Sequence, residues 1–112
     1  MTRILTAAAT ALAAALTLAL PALAATPTYK GTVGPGFTIK MATKPTKAGK
    51  IKLIVSDKSD QHNFHLTGPG VNVKTSVGQR GTKTFTITLK QGTYKFMCDP
   101  HASFMKGSFK VS

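Results

Sequence analysis

Residues 92–105 read Gly-Thr-Tyr-Lys-Phe-Met-Cys-Asp-Pro-His-Ala-Ser-Phe-Met, and the order of residue types within them decides the fold. Tyr94, Phe96 and Cys98 alternate with Lys95 and Met97, the period of two that marks a strand with one buried face. Asp99-Pro100 ends the alternation, because proline brings no amide hydrogen to a strand ladder. A short loop follows, closed by Met105-Lys106-Gly107, and Phe109 and Val111 then open a last strand.

The same period recurs upstream. Ile51, Leu53 and Val55 alternate with Lys50, Lys52 and Ile54, and Phe85, Ile87 and Leu89 alternate with Thr84, Thr86 and Thr88. Phe37 to Met41 and Asn63 to Thr67 are shorter candidates. Gly34-Pro35-Gly36, Gly68-Pro69-Gly70 and Gly78-Gln79-Arg80-Gly81 punctuate them as turns. After residue 24 there is no amphipathic helical pattern. The expectation is an all-β single domain of about six to eight strands, a β-sandwich or a small barrel. Lys90-Gln91-Gly92 is a tight connection; taken as a hairpin, it sets Cys98 beside Gly81 to Lys83, at one end of the sandwich.

The first residues form a different kind of segment. Arg3 precedes the uncharged, alanine-rich run Ile4 to Leu20, Pro21 breaks it, and Ala22-Leu23-Ala24 offers small residues. This predicts a secretory signal over 1–24 and a mature domain over 25–112, exported to a periplasmic or extracellular location. The competing reading is an uncleaved anchor, but the run is short and weakly apolar for a span. No stable membrane insertion is expected after processing. The chain has one cysteine, so no internal disulfide forms, and a lone thiol in an oxidising compartment needs an occupation.

Charge is lopsided. Without Arg3, fourteen cations face Asp57, Asp60 and Asp99, a formal charge of +11 with no glutamate. Such a field raises encounter rates with acidic partners. The lysines are scattered, without an arginine cluster or a nucleic-acid motif, and with export this argues against nucleic acid as the partner.

Cys98, His101 and Met105, with His62 some distance upstream, carry the chemistry. A thiolate, two imidazoles and a thioether suit copper, because sulfur stabilises Cu(I) and imidazole serves both oxidation states. Cys98 and His101 are three apart, so one tight loop presents both, and Met105 follows four later. Each residue has a plainer role available. Cys98 is otherwise a small buried hydrophobe, Met105 otherwise fills core, and His65 competes with His62 from the opposite strand face. Asn63 is placed to hydrogen-bond across to the Cys98 loop and hold it shut. Pro100, Ala102 and Phe104 surround His101 as a candidate apolar docking patch.

The segment Gly92 to His101 with Met105-Lys106-Gly107 resembles the copper loop of the cupredoxins, plastocyanins, amicyanins and pseudoazurins being the nearest types. His62-Asn63 resembles the pair that opens their other ligand-bearing strand. The resemblance implies a Greek-key β-sandwich binding one type 1 copper ion through His62, Cys98, His101 and axial Met105. It implies electron transfer with a cytochrome, oxidase or dehydrogenase as partner, and no enzymatic activity. Gln61 stands where the family often has proline, Met97 where plastocyanins often have an aromatic, and Asp99 where serine or threonine is common. A carboxylate beside the thiolate is expected to favour Cu(II) and lower the potential. The His101 to Met105 spacing falls between the amicyanin and plastocyanin loop lengths.

The alternative function is copper delivery or buffering in the cell envelope. Such carriers favour exposed Met- and His-rich sites, whereas only Met41, Met97 and Met105 remain after residue 24. With three histidines and no His-x-His pair, a second copper centre for oxidase chemistry is not expected.

Overall fold

The computed structural model describes residues 25–112; the signal segment expected over 1–24 lies outside them. Eight strands form in chain order: β1 Thr28–Val33, β2 Ile39–Met41, β3 Gly49–Asp57, β4 His65–Gly68, β5 Val71–Lys74, β6 Gly81–Leu89, β7 Gly92–Met97 and β8 Lys106–Val111. A 3-10 turn, Asp99–His101, stands between the last two. The strands make two sheets of four, ordered β2-β1-β3-β6 and β5-β4-β7-β8. β1 and β3 run parallel, and every other pairing is antiparallel. The connections β3–β4, β5–β6 and β6–β7 cross between sheets, as in a Greek-key sandwich.

The alternation read in the sequence sorts residues to the two faces. In β3, Ile51, Leu53 and Val55 are buried while Lys50 and Lys52 are exposed. In β7, Tyr94 and Phe96 point inward, and Cys98 continues that row just past the strand end. Aromatic rings pack along the inner face of the second sheet: Phe64, directly before β4, stacks on Phe96 at 5.5 Å and Tyr94 on Phe109 at 5.2 Å. Two glycines make room for them. A Cβ on Gly31 would lie 2.8 Å from the Phe64 ring, and one on Gly107 would overlap the Phe96 ring.

Two expectations need correction. β6 and β7 do not form a hairpin: β6 pairs with β3 in one sheet, and β7 lies between β4 and β8 in the other. Leu89 and Tyr94 are both buried between the sheets, so the tight connection carries the chain across the sandwich rather than back along one sheet. The far end is fastened by the Tyr94 hydroxyl, which accepts from the Lys90 amide at 2.8 Å and donates to the Pro69 carbonyl at 3.0 Å. Second, β1 and β5 were absent from the expected strands, and both are real.

Candidate metal centre

The loop after β7 is wound by its own backbone. Pro100 occupies the first turn of the 3-10 segment. The His101 amide donates to the Cys98 carbonyl at 3.1 Å, and the Met105 amide donates to the His101 carbonyl at 2.9 Å. The Cys98 amide then donates to the Met105 carbonyl at 3.0 Å, closing the loop where β7 and β8 meet. Both sulfur residues are thereby turned inward: Cys98 is 0 % exposed and Met105 1 %. His62 arrives from the other side, in the crossover between β3 and β4, and is 3 % exposed.

Three donor atoms converge. His62 Nδ1 and His101 Nδ1 are 3.1 Å apart, and Cys98 Sγ is 3.6 Å from each. A point equidistant from this triangle lies about 2.0 Å from every corner, within reach of ordinary metal–nitrogen bonds of about 2.0–2.1 Å and, with slight displacement, metal–sulfur bonds of about 2.3 Å. The set of one thiol and two imidazoles, with a buried thioether in the same loop, fits a type 1 copper site. The four residues singled out in the sequence are thus gathered at one end of the sandwich.

His65 is not in the donor triangle. It faces outward on β4, where Nδ1–H donates to Asp99 Oδ1 at 2.7 Å and Nε2 lies 2.6 Å from Asn72 Oδ1 on β5. Asp99 is held from its other side by Asn63, whose Nδ2 donates to Asp99 Oδ2 at 2.8 Å and whose Oδ1 accepts from the Asp99 amide at 2.7 Å. Asn63 Nδ2 also reaches the Thr75 carbonyl at 3.3 Å, and the Thr75 hydroxyl accepts from the Phe64 amide at 2.8 Å. Asn63 therefore clamps the copper-loop candidate as expected, with a carboxylate as its partner. Partial burial opposes ionisation of Asp99, but the bonds from His65 and Asn63 outweigh it and hold the carboxyl below its ordinary range.

Above the triangle sits an aromatic rim. The Phe37 ring is 5.3 Å from His62, 5.1 Å from His101 and 5.7 Å from Phe104, and Phe104 is 5.6 Å from His101. Phe37 and Phe104 are 62 % and 58 % exposed. Phe37, expected at the start of a strand over Phe37 to Met41, instead stands on the β1–β2 loop, because the strand begins at Ile39 and the Phe37 ring packs over the two histidines. Pro100 and Ala102 flank His101 in the same loop.

Arg80 and Lys83 lie where β6 begins, opposite the end of β3 that leads to His62. Arg80 is 3.6 Å from Asp60 in an exposed pair. Asp57 ends β3 and is buried; its Oδ1 accepts from the Ser59 amide at 3.0 Å, and Oδ2 makes no hydrogen bond among the described residues. Burial pushes its carboxyl above the ordinary range, against the opposing pull of the Ser59 amide. Among the described residues, no helix is long and apolar enough to cross a membrane.

Solved structures share the fold at low sequence identity. Reduced auracyanin from the photosynthetic bacterium Roseiflexus castenholzii superposes with a TM-score of 0.55 at 22% identity, covering 80% of this chain and 99% of that one. Reduced rusticyanin gives 0.58 at 20%, covering 76% and 78%. Auracyanin A, a blue copper protein of Chloroflexus aurantiacus, gives 0.56 at 16%, covering 79% and 100%. No curated protein matches at the level of sequence. The family model for the cupredoxin-like domain matches residues 8–111, nearly the whole sequence, and the chain belongs to the cupredoxin-like family.

Proposed function

We propose that the protein shuttles single electrons between redox partners through one copper ion that His62, Cys98 and His101 would hold, with Met105 as a fourth donor. The observation that carries this reading is the asymmetry of the donor set. The thiol and His62 are buried, whereas His101 is half-buried and set between the exposed rings of Phe37 and Phe104. Copper bound there supplies a one-electron couple with a short route to the surface.

The residues divide the work. Nδ1 of each histidine and the thiolate of Cys98 are the donors, and a coordinated thiol is deprotonated. The loop hydrogen bonds hold Cys98, His101 and Met105 in fixed relation, so little rearrangement accompanies a change of oxidation state. Phe37 and Phe104 exclude water from the histidine edges and offer an apolar face for brief docking. The +11 mature surface steers acidic partners toward encounter. Residues 1–24 direct export and are removed, leaving the domain of residues 25–112 in the periplasm or outside the cell. The burial of three of the four donors disfavours rapid copper hand-over and so disfavours delivery.

Reconstitution with Cu(II) tests the reading. An intense visible thiolate-to-copper band and a reversible one-electron voltammetric wave are expected. A colourless copper complex, or rapid loss of copper to a mild chelator, would refute it.

A further inference from the structure

His65 is a residue that the donor set does not use, yet it is among the most tightly held side chains near the site. Asn72 fixes one ring nitrogen at 2.6 Å and Asp99 the other at 2.7 Å. Asn72, His65, Asp99, Asn63 and Thr75 thus form one continuous chain of hydrogen bonds from edge strand β5, through β4, into the loop that begins at Cys98. Asp99 is the pivot. Its backbone follows the thiol directly, its amide is bonded to Asn63, and its two carboxylate oxygens are divided between Asn63 and His65. His65 is the only basic side chain in contact with Asp99 among the described residues.

We infer that His65 is a positioning residue that works through Asp99: bonded to Oδ1 at 2.7 Å, it orients the carboxylate away from Cys98 and draws its negative charge outward, which sets the balance between the oxidised and reduced forms of the centre. The inference rests on the copper reading above and refines it. Asp99, left to itself beside the thiolate, favours the more positive Cu(II) form. A donor bonded to Asp99 Oδ1 draws that negative charge outward. The sequence expectation that Asp99 lowers the potential therefore holds in full only where His65 is absent. His65 also lies opposite Met97 in the β4–β7 register, next to Cys98, so a double-mutant cycle is what separates an influence through Asp99 from one through the strand pair.

The test is a double-mutant cycle on the copper-loaded protein, read as reduction potential. His65→Gln is expected to shift the Cu(II)/Cu(I) balance toward Cu(II) by about tenfold, the lower end of what partners behind metal ligands commonly contribute, which is about 59 mV for one electron. Asp99→Asn is expected to shift it the other way. In the Asp99→Asn background, adding His65→Gln is expected to change the potential by less than a third of its effect in wild type. Equal shifts of His65→Gln in both backgrounds would overturn the inference, since His65 would then act independently of Asp99. So would no shift in either. A purely structural histidine predicts altered stability without this Asp99-dependent change in potential.

A second cycle uses the copper-free protein, with urea midpoints in place of potentials. Non-additive losses for His65→Gln and Asp99→Asn support the pair, and additive losses refute it whether or not copper binds. Should His65→Gln fold poorly, Asn72→Ala replaces it, because Asn72 is exposed on an edge strand. It is expected to move the potential in the same direction by a smaller factor, and an unchanged potential there counts against the inference. A protein that folds but gives no thiolate-to-copper band overturns the copper reading, leaving the urea cycle to decide the pairing.

Discussion

Replacing Asn63 by alanine removes three hydrogen bonds at once from a side chain that is 1 % exposed. Two of them join it to Asp99, at 2.8 and 2.7 Å, and the third to the Thr75 carbonyl at 3.3 Å. The Asp99 carboxylate is partly exposed and recovers water, whereas the Thr75 carbonyl lies in the buried part of the network. At about 1 kcal/mol net for each bond, the expected loss is about 3 kcal/mol. For a domain of this size that is a fall in midpoint of about 12 °C or more. Urea denaturation of the metal-free protein, followed by far-ultraviolet circular dichroism, measures it, with an unchanged slope showing that the same surface is exposed on unfolding. A loss below about 0.5 kcal/mol, less than one ordinary hydrogen bond, would refute the reasoning. It would mean that the backbone ladder of the loop holds itself shut without the clamp. Asn63→Asp sharpens the test: it keeps the shape and the acceptor for the Asp99 amide but sets one carboxylate against another. Its cost at neutral pH should match or exceed that of alanine.

Other substitutions probe separate parts of the molecule. Cys98→Ser should abolish the visible band on addition of Cu(II) while preserving the far-ultraviolet spectrum; a surviving band would remove Cys98 from the donor set. Met105→Leu conserves volume in a buried position, so metal-free stability should change by less than about 1.5 kcal/mol, while the potential rises because a donor to Cu(II) is lost. An unchanged potential would reduce Met105 to packing. Gly107→Ala should cost about 1–3 kcal/mol by displacing the Phe96 ring, and a wild-type urea midpoint would show that the ring has room to yield. Asp57→Asn should stabilise the protein at pH 7. The folded-state pKa of Asp57 is raised, so its ionised form works against folding above that value, and the penalty vanishes as pH falls below the ordinary value of 3.8. A stability difference that is the same at pH 7 and near 3.8 would contradict this.

The long strands were legible because each keeps one apolar face without interruption. Ile51, Leu53 and Val55 in β3, and Phe85, Ile87 and Leu89 in β6, state their own orientation. β1 was not legible. Gly31 interrupts the inward row of Tyr29 and Val33, and it is there to admit the Phe64 ring from the β3–β4 connection, a long-range reason invisible to local periodicity. β5 is a four-residue edge, Val71 to Lys74, too short to show a period. The misread β6–β7 hairpin has a similar cause, since loop length alone does not distinguish a turn within a sheet from a step across a sandwich. At the site, donor chemistry singled out Cys98 and His101, which the structure brings together with His62. The contacts of Phe37 and His65 are with residues far away in sequence, and residue type alone does not reveal them.

The ladder between Cys98 and Met105 has a consequence for how such a centre changes over time. The loop starts and ends on neighbouring strands, β7 and β8, and is closed by its own amide and carbonyl groups. It behaves as a cassette plugged into two fixed sockets. Residues can be added to or removed from it without moving the register of either sheet. The chemistry the loop presents is therefore free to drift on a scaffold whose folding is governed elsewhere, by the rings and glycines between the sheets.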